Sequence, residues 1–506
     1  MNIRQAKEYI KNTVKIYLKK DEFGEYKLPA VRQRPIFLLG APGIGKTAVM
    51  EQIAQEMEVA LVSYSMTHHT RQSALGLPYI TKKEYGDVSF SVTEYTMSEI
   101  IASLYDTMEK SGIQEGILFL DEINCVSETL SPAMLQFLQN KTFGRHKVPE
   151  GWVIVTAGNP PEYNRSVREF DIVTLDRLKV LEVEPDYSVW KEYAAQRGMH
   201  SAVTTYLDQK KEHFYRMETT AKGRSYVTAR GWEDLSGILY QYEEERLPVD
   251  ETLVGQYLRN EKVVEEFTAY YDLFQKYKKD YHIDDILQGM LSDGAVTRAM
   301  EAPFDERLSL LGMLLDRVFT DMKENMENVS FLTDLRNVLK KAGELSGCGS
   351  LGQMQEYLEN QREGRRKLLE RLREANVLSE GEKRKHNAVL RFLKTAGRDL
   401  ATGDAGDGKE AYALLKEKYN GKMAEVKAET NRIREELHAL FSFAEAAFGQ
   451  GNEMLILVTE LTANSVAAQF IAAFGSPDYS RYSQELMLSE RRDSIREEID
   501  ALGIFE

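Results

Sequence analysis

Arg34-Pro35-Ile36-Phe37-Leu38-Leu39-Gly40-Ala41-Pro42-Gly43-Ile44-Gly45-Lys46-Thr47 decides the fold of this chain. An apolar run leads through a glycine-rich turn into Lys-Thr, and Gly40 to Thr47 fits G-x-x-x-x-G-K-[ST] at every defined position. Such a loop must turn its backbone N–H groups inward around a phosphate, and glycines let it curl that tightly with no Cβ in the way. Gly40, Pro42, Gly43 and Gly45 shape the cradle, Lys46 reaches the β and γ phosphates, and the Thr47 hydroxyl takes a place on Mg²⁺. The helix that follows aims its positive N-terminal end at the same anion. The flanks agree with this reading. Ile36-Phe37-Leu38-Leu39 reads as a buried parallel strand, and Val49, Met50, Ile53, Ala54 and Met57 carry an apolar helical period.

Further along, Ile117-Leu118-Phe119-Leu120-Asp121-Glu122 is an apolar strand ending in two consecutive carboxylates. In open α/β folds ligands bind at the carboxyl ends of the strands, which places this pair beside the phosphate loop. One of the two, Asp121 or Glu122, can then hold Mg²⁺ through its water shell while its neighbour orients the attacking water. Strands are expected at 59–65, 116–121, 152–157 and 179–183, alternating with helices at 98–110 and 132–140, after an amphipathic N-terminal helix with Ile3, Ala6, Ile10 and Val14 on one face. This alternation with buried strands predicts a parallel sheet covered on both faces.

At 506 residues the chain is long for one core, and two or three domains are expected. Acidic residues outnumber basic ones by 80 to 65, a net charge of -15, which argues against a general nucleic-acid binder. Two cysteines, Cys125 and Cys348, exclude a disulfide framework and a cysteine-rich zinc site, and both read as reduced structural thiols. His68 and His69 have no further ligand cluster beside them and read as ordinary histidines. The charged N-terminus is no signal peptide, and no apolar run approaches the roughly 20 residues that span a bilayer. A soluble cytoplasmic protein with no membrane association is expected.

Strand-like sequence gives way after Pro185 to charged helical sequence. The expected domains are an α/β nucleotide-binding core at 1–185, a small α-helical lid at 186–250 and a mainly α-helical region at 251–506. That last region holds a basic island at 361–398, with Arg365-Arg366-Lys367 and Lys383-Arg384-Lys385. It also holds a long apolar stripe through Ala411, Leu415, Tyr419, Met423, Val426, Ile433, Leu437, Leu440 and Ala444. Residues 401–408 form a flexible connector between them. Two readings stand: an antiparallel helical arm at 355–447, or an ordinary bundle with a solvated charged face.

The phosphate loop, Asp121-Glu122-Ile123-Asn124 and Thr156-Ala157-Gly158-Asn159-Pro160 together resemble an AAA+ ATPase. Leu135-Gln136-Phe137-Leu138, Leu175-Asp176-Arg177-Leu178 and Val227-Thr228-Ala229-Arg230-Gly231-Trp232 resemble in particular its MoxR-like, dynein-related branch. The resemblance covers roughly the first half of the chain. It implies a P-loop NTPase core with ATP and Mg²⁺, in which Lys46 and Thr47 would bind phosphate and Mg²⁺, Asp121 would support the metal and Glu122 would position or activate water. Asn159 would be the first sensor of the γ-phosphate, Arg230 the second sensor on the lid, and Arg177 the finger reaching a neighbouring subunit's nucleotide. Arg165 and Arg168 lie close enough in sequence to be the finger instead. Residues 77–95 and 141–151 fill the places of two inserted hairpins that face the pore in that branch, with no choice between gripping a substrate and packing on neighbours.

The resemblance further implies a hexameric ring that hydrolyses ATP to remodel a partner protein, in relatives often one bearing a von Willebrand factor A domain. The C-terminal half is the place for partner recognition. Two other functions remain: a nucleic-acid-associated motor or restriction-type NTPase served by the basic island, and a nucleotide-dependent switch or scaffold. GTP stands beside ATP as a possible nucleotide.

Overall fold

A computed structural model describes residues 1–68, 74, 76–143, 145–163, 167–220, 223–346, 350–402 and 407–484. Arg165, His69, Cys348 and residues 403–406 of the connector lie outside the described residues. The chain forms two compact units, Met1–Val189 with Leu358–Lys394, and Trp190–Tyr357 with Thr395–Glu506.

The first unit runs α1 (Ile3–Tyr17), β1 (Ile36–Gly40), α2 (Lys46–Met57), β2 (Ala60–Ser65), β3 (Pro78–Tyr85), β4 (Val88–Tyr95), α3 (Glu99–Ser111), β5 (Gly116–Asp121), α4 (Ser131–Asn140), β6 (Thr142–Phe143), β7 (His146–Lys147), β8 (Trp152–Gly158), α5 (Ile172–Leu175) and β9 (Lys179–Val183). Five strands make one sheet in the order β2-β5-β8-β1-β9, every pair parallel. Parallel strands covered by helices on both faces need continuous apolar runs. Accordingly β8 is buried along its whole length and β5 up to Asp121. The fold is a P-loop core of the AAA+ kind. In the places of the two inserted hairpins that the resemblance implies, β3–β4 and the much shorter β6–β7 form, both antiparallel.

Register brings the strand ends into line. Ser65 pairs with Asp121, Leu120 with Thr156, and Leu39 with Gly158. The residues that follow each strand therefore emerge side by side at the carboxyl edge, with β1 flanked by β8 and β9.

The second unit contains α6 (Tyr187–Arg197, from Trp190 on), α7 (Ser201–Gln209), the hairpin β10 (Arg216–Thr220) and β11 (Gly223–Val227), α8 (Ala229–Glu244), α9 (Glu251–Tyr257), α10 (Glu261–Tyr281), α11 (Ile283–Leu287), α12 (Asp293–Glu301) and α13 (Phe304–Ser346). The chain continues through α14 (Leu351–Glu374), α15 (Glu380–Thr402), α16 (Gly408–Phe448), α17 (Asn452–Ala463) and α18 (Ser465–Phe474). The hairpin β10–β11 corrects the all-helical reading of the lid. Its strands carry Arg, Glu and Thr at mostly exposed positions, so no apolar alternation announces them.

The helical arm also needs correction. The α16 stripe packs antiparallel on α13, with Ile433, Leu437, Leu440 and Ala444 in one core with Leu310, Leu314, Val318 and Met322. Met423, read into the stripe, is exposed. The basic island instead folds on itself as the α14–α15 pair, where the Arg365 guanidinium lies 2.9 Å from His386 Nδ1. Arg366 pairs with Glu370, Lys367 with Glu363 and Lys383 with Glu380, so these cations are matched one turn away by acids. No single helix among the described residues is long and apolar enough to cross a membrane. The bent pair α17–α18 has enough apolar length together, but buries Leu457, Leu461, Ala467 and Phe470 in the helical core.

Candidate nucleotide site

Between β1 and α2 the backbone does what the motif requires. Gly43 and Gly45 have φ of 74° and 90°, left-handed values that favour glycine. At Gly40 a Cβ would sit 2.8 Å from the Val183 carbonyl oxygen, so the close approach to β9 demands glycine as well. Helix α2 starts at Lys46 behind Gly45, with no side chain capping its first turn. Its N-terminal amides thus face the loop, the arrangement that binds phosphate.

Lys46 is 8% exposed, and a buried ammonium needs acceptors. Its Nζ donates to the Gly40 carbonyl at 2.8 Å, the Ala41 carbonyl at 2.9 Å and Asn159 Oδ1 at 2.9 Å. The Thr47 hydroxyl donates to Asp121 Oδ2 at 3.0 Å, while Asp121 Oδ1 accepts the Glu122 amide at 2.9 Å. A hydroxyl and a carboxylate in contact at the mouth of a phosphate loop fit a Mg²⁺ that keeps most of its waters and is completed by phosphate oxygens. Among the described residues no group of three or more His, Cys, Asp and Glu is arranged to hold a metal ion, and His68 is no exception.

Glu122 takes the left-handed conformation, φ 55°, rare for a residue with a side chain. Its Oε2 accepts the hydroxyls of Ser65 and Thr67, both at 3.1 Å. Sequence reading missed these two residues. Ser65 ends β2, and only the register that sets it opposite Asp121 reveals what it holds. Below the carboxylates, burial first, and then Glu122 and Asp121, push the Cys125 thiol above its ordinary value and keep it protonated.

The arginines separate. Arg168 pairs with the Glu128 carboxylate and donates its amide to the Asn124 carbonyl at 2.9 Å. Arg177 is exposed, just beyond α5, whose N-cap Asp171 accepts the Thr174 amide at 2.8 Å. Beside it Ile172 and Val173 are 85% and 59% exposed. Arg230 belongs to the second unit and is exposed on the first turn of α8. Thr228 caps that helix, Gly231 leaves no room for a Cβ beside the Tyr257 carbonyl, and Trp232 is fully buried against Tyr206 and Phe267. The structure thus brings Lys46, Thr47, Asp121, Glu122 and Asn159 to one sheet edge.

Residues 36–175 match the model of the ATPase family associated with various cellular activities (AAA). The match runs from β1 to the end of α5 and supports an AAA+ ATPase with nucleotide binding and ATP hydrolysis in general. No curated protein matches the chain.

Proposed function

We propose that the chain is a MoxR-like AAA+ ATPase that hydrolyses ATP, with Mg²⁺, to remodel or activate a partner protein, working as a hexameric ring. The observation that carries this reading is the convergence of Lys46, Thr47, Asp121, Glu122 and Asn159 at the carboxyl edge of one parallel sheet. In this reading the loop amides and Lys46 bind the phosphates, and Thr47 and Asp121 would hold Mg²⁺, which would supply charge neutralisation at the phosphate oxygens. Glu122 orients the attacking water. Asn159, whose Oδ1 contacts Lys46, exchanges that contact for the γ-phosphate and its water. Exposed Arg177 serves a neighbouring subunit's nucleotide, with Arg230 as the lid's contribution. The partner, in this proposal one with a von Willebrand factor A domain, engages the C-terminal half. The acids beside Arg366, Lys367 and Lys383 on α14 and α15, together with the net charge of -15, favour a protein partner over a nucleic acid.

The test is the mass of Glu122→Gln by light scattering, with and without Mg-ATP, beside wild-type turnover. Removing the group that activates water leaves binding intact and slows turnover by about 10²- to 10⁴-fold. We expect ATP retained and a nucleotide-dependent shift to about six subunits, as closed cyclic symmetry allows. A monomer under both conditions, with ATP bound, would leave Arg177 without its neighbour and replace the motor by a nucleotide switch.

A further inference from the structure

Asn124 lies three residues beyond Asp121, in the single turn Ile123–Cys125 that follows Glu122, and is 4% exposed. It touches neither the phosphate loop nor the two hydroxyls that hold Glu122 among its described hydrogen bonds. Its Nδ2 donates to the main-chain carbonyl of Asn159 at 2.8 Å. Its own carbonyl accepts the Arg168 amide at 2.9 Å. One side chain thus ties the turn carrying Glu122 to the end of β8 carrying Asn159, and its backbone ties both to the segment approaching α5 and Arg177.

The orientation of this amide is dictated by chemistry. The Asn159 carbonyl can only accept, so Asn124 must present its NH₂ group there. That choice turns Oδ1 toward Gly158, where it is buried with no hydrogen-bond partner. A Cβ at Gly158 would lie 2.5 Å from that oxygen, so a glycine at this position is what admits the amide. A buried acceptor left unsatisfied is tolerated here for the sake of the opposite end of the same amide. The strained backbone at Glu122 is likewise held by what surrounds it rather than by local preference.

We infer that Asn124 is a positioning residue for ATP hydrolysis, fixing the separation of Glu122 and Asn159 through the Asn159 carbonyl. The inference rests on the ATPase reading above. It concerns geometry between two groups that must meet the same water and γ-phosphate, where a misplacement of about 1 Å costs on the order of 10²-fold in rate. Phosphate affinity comes from the loop amides, Lys46 and Thr47, none of which Asn124 contacts in the hydrogen bonds described.

The test uses the full chain with Asn124→Leu and Asn124→Asp, measuring nucleotide Kd, kcat and folded fraction across pH 5.5 to 8.5. Leucine matches the shape and removes the donor. Asn124→Leu should keep Kd within about threefold of wild type while kcat per folded molecule falls about 100-fold. Aspartate opposes the Asn159 carbonyl when ionised but donates to it when protonated, and burial beside Asp121 and Glu122 raises its pKa. Its kcat should therefore recover as pH falls, over a range where wild-type kcat does not rise. Unchanged kcat in Asn124→Leu, a loss that tracks folded fraction alone, or a loss confined to Kd would each overturn the assignment. Wild-type protein that binds ATP without turning it over would instead overturn the ATPase reading and be seen before any variant is compared.

Discussion

At the β9 edge of the sheet the cover is an amphipathic helix, and at the β2 edge it is the tip of a helical hairpin. Helix α1 packs on α2 and β9 and buries Ala6, Ile10 and Val14 completely. Met1 extends the cover along the strand, its ammonium donating to the Glu182 carbonyl and its carbonyl accepting the Glu184 amide, both at 2.9 Å. At β2 the turn between α14 and α15 arrives instead. The Leu61 amide donates to the Ala375 carbonyl at 3.0 Å, and Asn376 Nδ2 donates to the Leu61 carbonyl at 3.2 Å. Arg371 adds a bond from Nε to the Ser111 carbonyl at 2.7 Å, at the C-terminus of α3, where a cation suits the helix dipole. Both devices satisfy an edge that would otherwise invite another strand. The first adds the two Met1 hydrogen bonds to an apolar helix face, and the second holds largely by polar pins. Apolar burial is the stronger clamp, and pins worth about 0.5–1.5 kcal/mol each are the easier to release.

The largest effect expected from breaking this contrast is at Ile10. Ile10→Ala deletes side-chain volume at a fully buried position and should cost about 2–5 kcal/mol, read as a lower urea midpoint with unchanged slope. A cost below the value found for any single change at the hairpin tip would reverse the ranking of the two covers.

A second prediction concerns a charge beneath the N-terminal cover. Lys141 is buried at the end of α4, its Nζ donating to Gln33 Oε1 at 3.2 Å, and the same Gln33 holds the carbonyls of Tyr17 and Leu28. Burial lowers its pKa from 10.5 to about 8. Between these values the unfolded chain keeps a proton that the folded chain has lost, so stability rises with pH across that window. Relative to Lys141→Met, wild type should gain about 1–3 kcal/mol from pH 8 to 10.5, measured as the difference between two urea titrations. Parallel pH profiles for the two proteins would place the lysine in a more solvated setting than its burial implies.

What could be read in advance follows the same division. The strands at 116–121 and 179–183 have the bounds the sequence suggests, and the first, buried on both faces, declares itself as an unbroken apolar run. The α1 face was legible from its helical period. Lys46 and Thr47 were legible from the phosphate-loop pattern and the pair Asp121-Glu122 from its place at a strand end, whereas Asn159 was singled out only by the family resemblance. Ser65 and Thr67 were not: two hydroxyls at a strand end have no signature until register sets Ser65 beside Asp121. Asn124 was in plain view within a quoted motif, yet its bond to Asn159 spans β5 and β8 and cannot be inferred from either segment alone. The pairing of α16 with α13 rather than with the basic island is a choice between two apolar faces of similar period, which periodicity does not decide.

The smallest effect, and the one that separates the two covers most cleanly, is at Asn376. This residue closes α14 in a left-handed conformation, φ 55°. The Asn376 amide donates to the Arg373 carbonyl at 3.1 Å and the Val377 amide to the Leu372 carbonyl at 3.1 Å, the pair of bonds that terminates a helix at a glycine or asparagine. Asparagine therefore does two things here: it accepts the left-handed backbone and pins Leu61. Asn376→Gly removes the pin alone and should cost about 0.5–1.5 kcal/mol. Asn376→Ala also forces a Cβ into the left-handed region and should cost about 1 kcal/mol more. Because the Leu61 amide bonds to the adjacent Ala375 carbonyl, loosening the tip should speed hydrogen exchange at Leu61 while leaving amides inside β5 protected. Equal costs for the two variants, or an unchanged Leu61 exchange rate in both, would mean that the apolar contacts of buried Ala375 and Val377 hold the tip, and the two edges would then be closed by the same force.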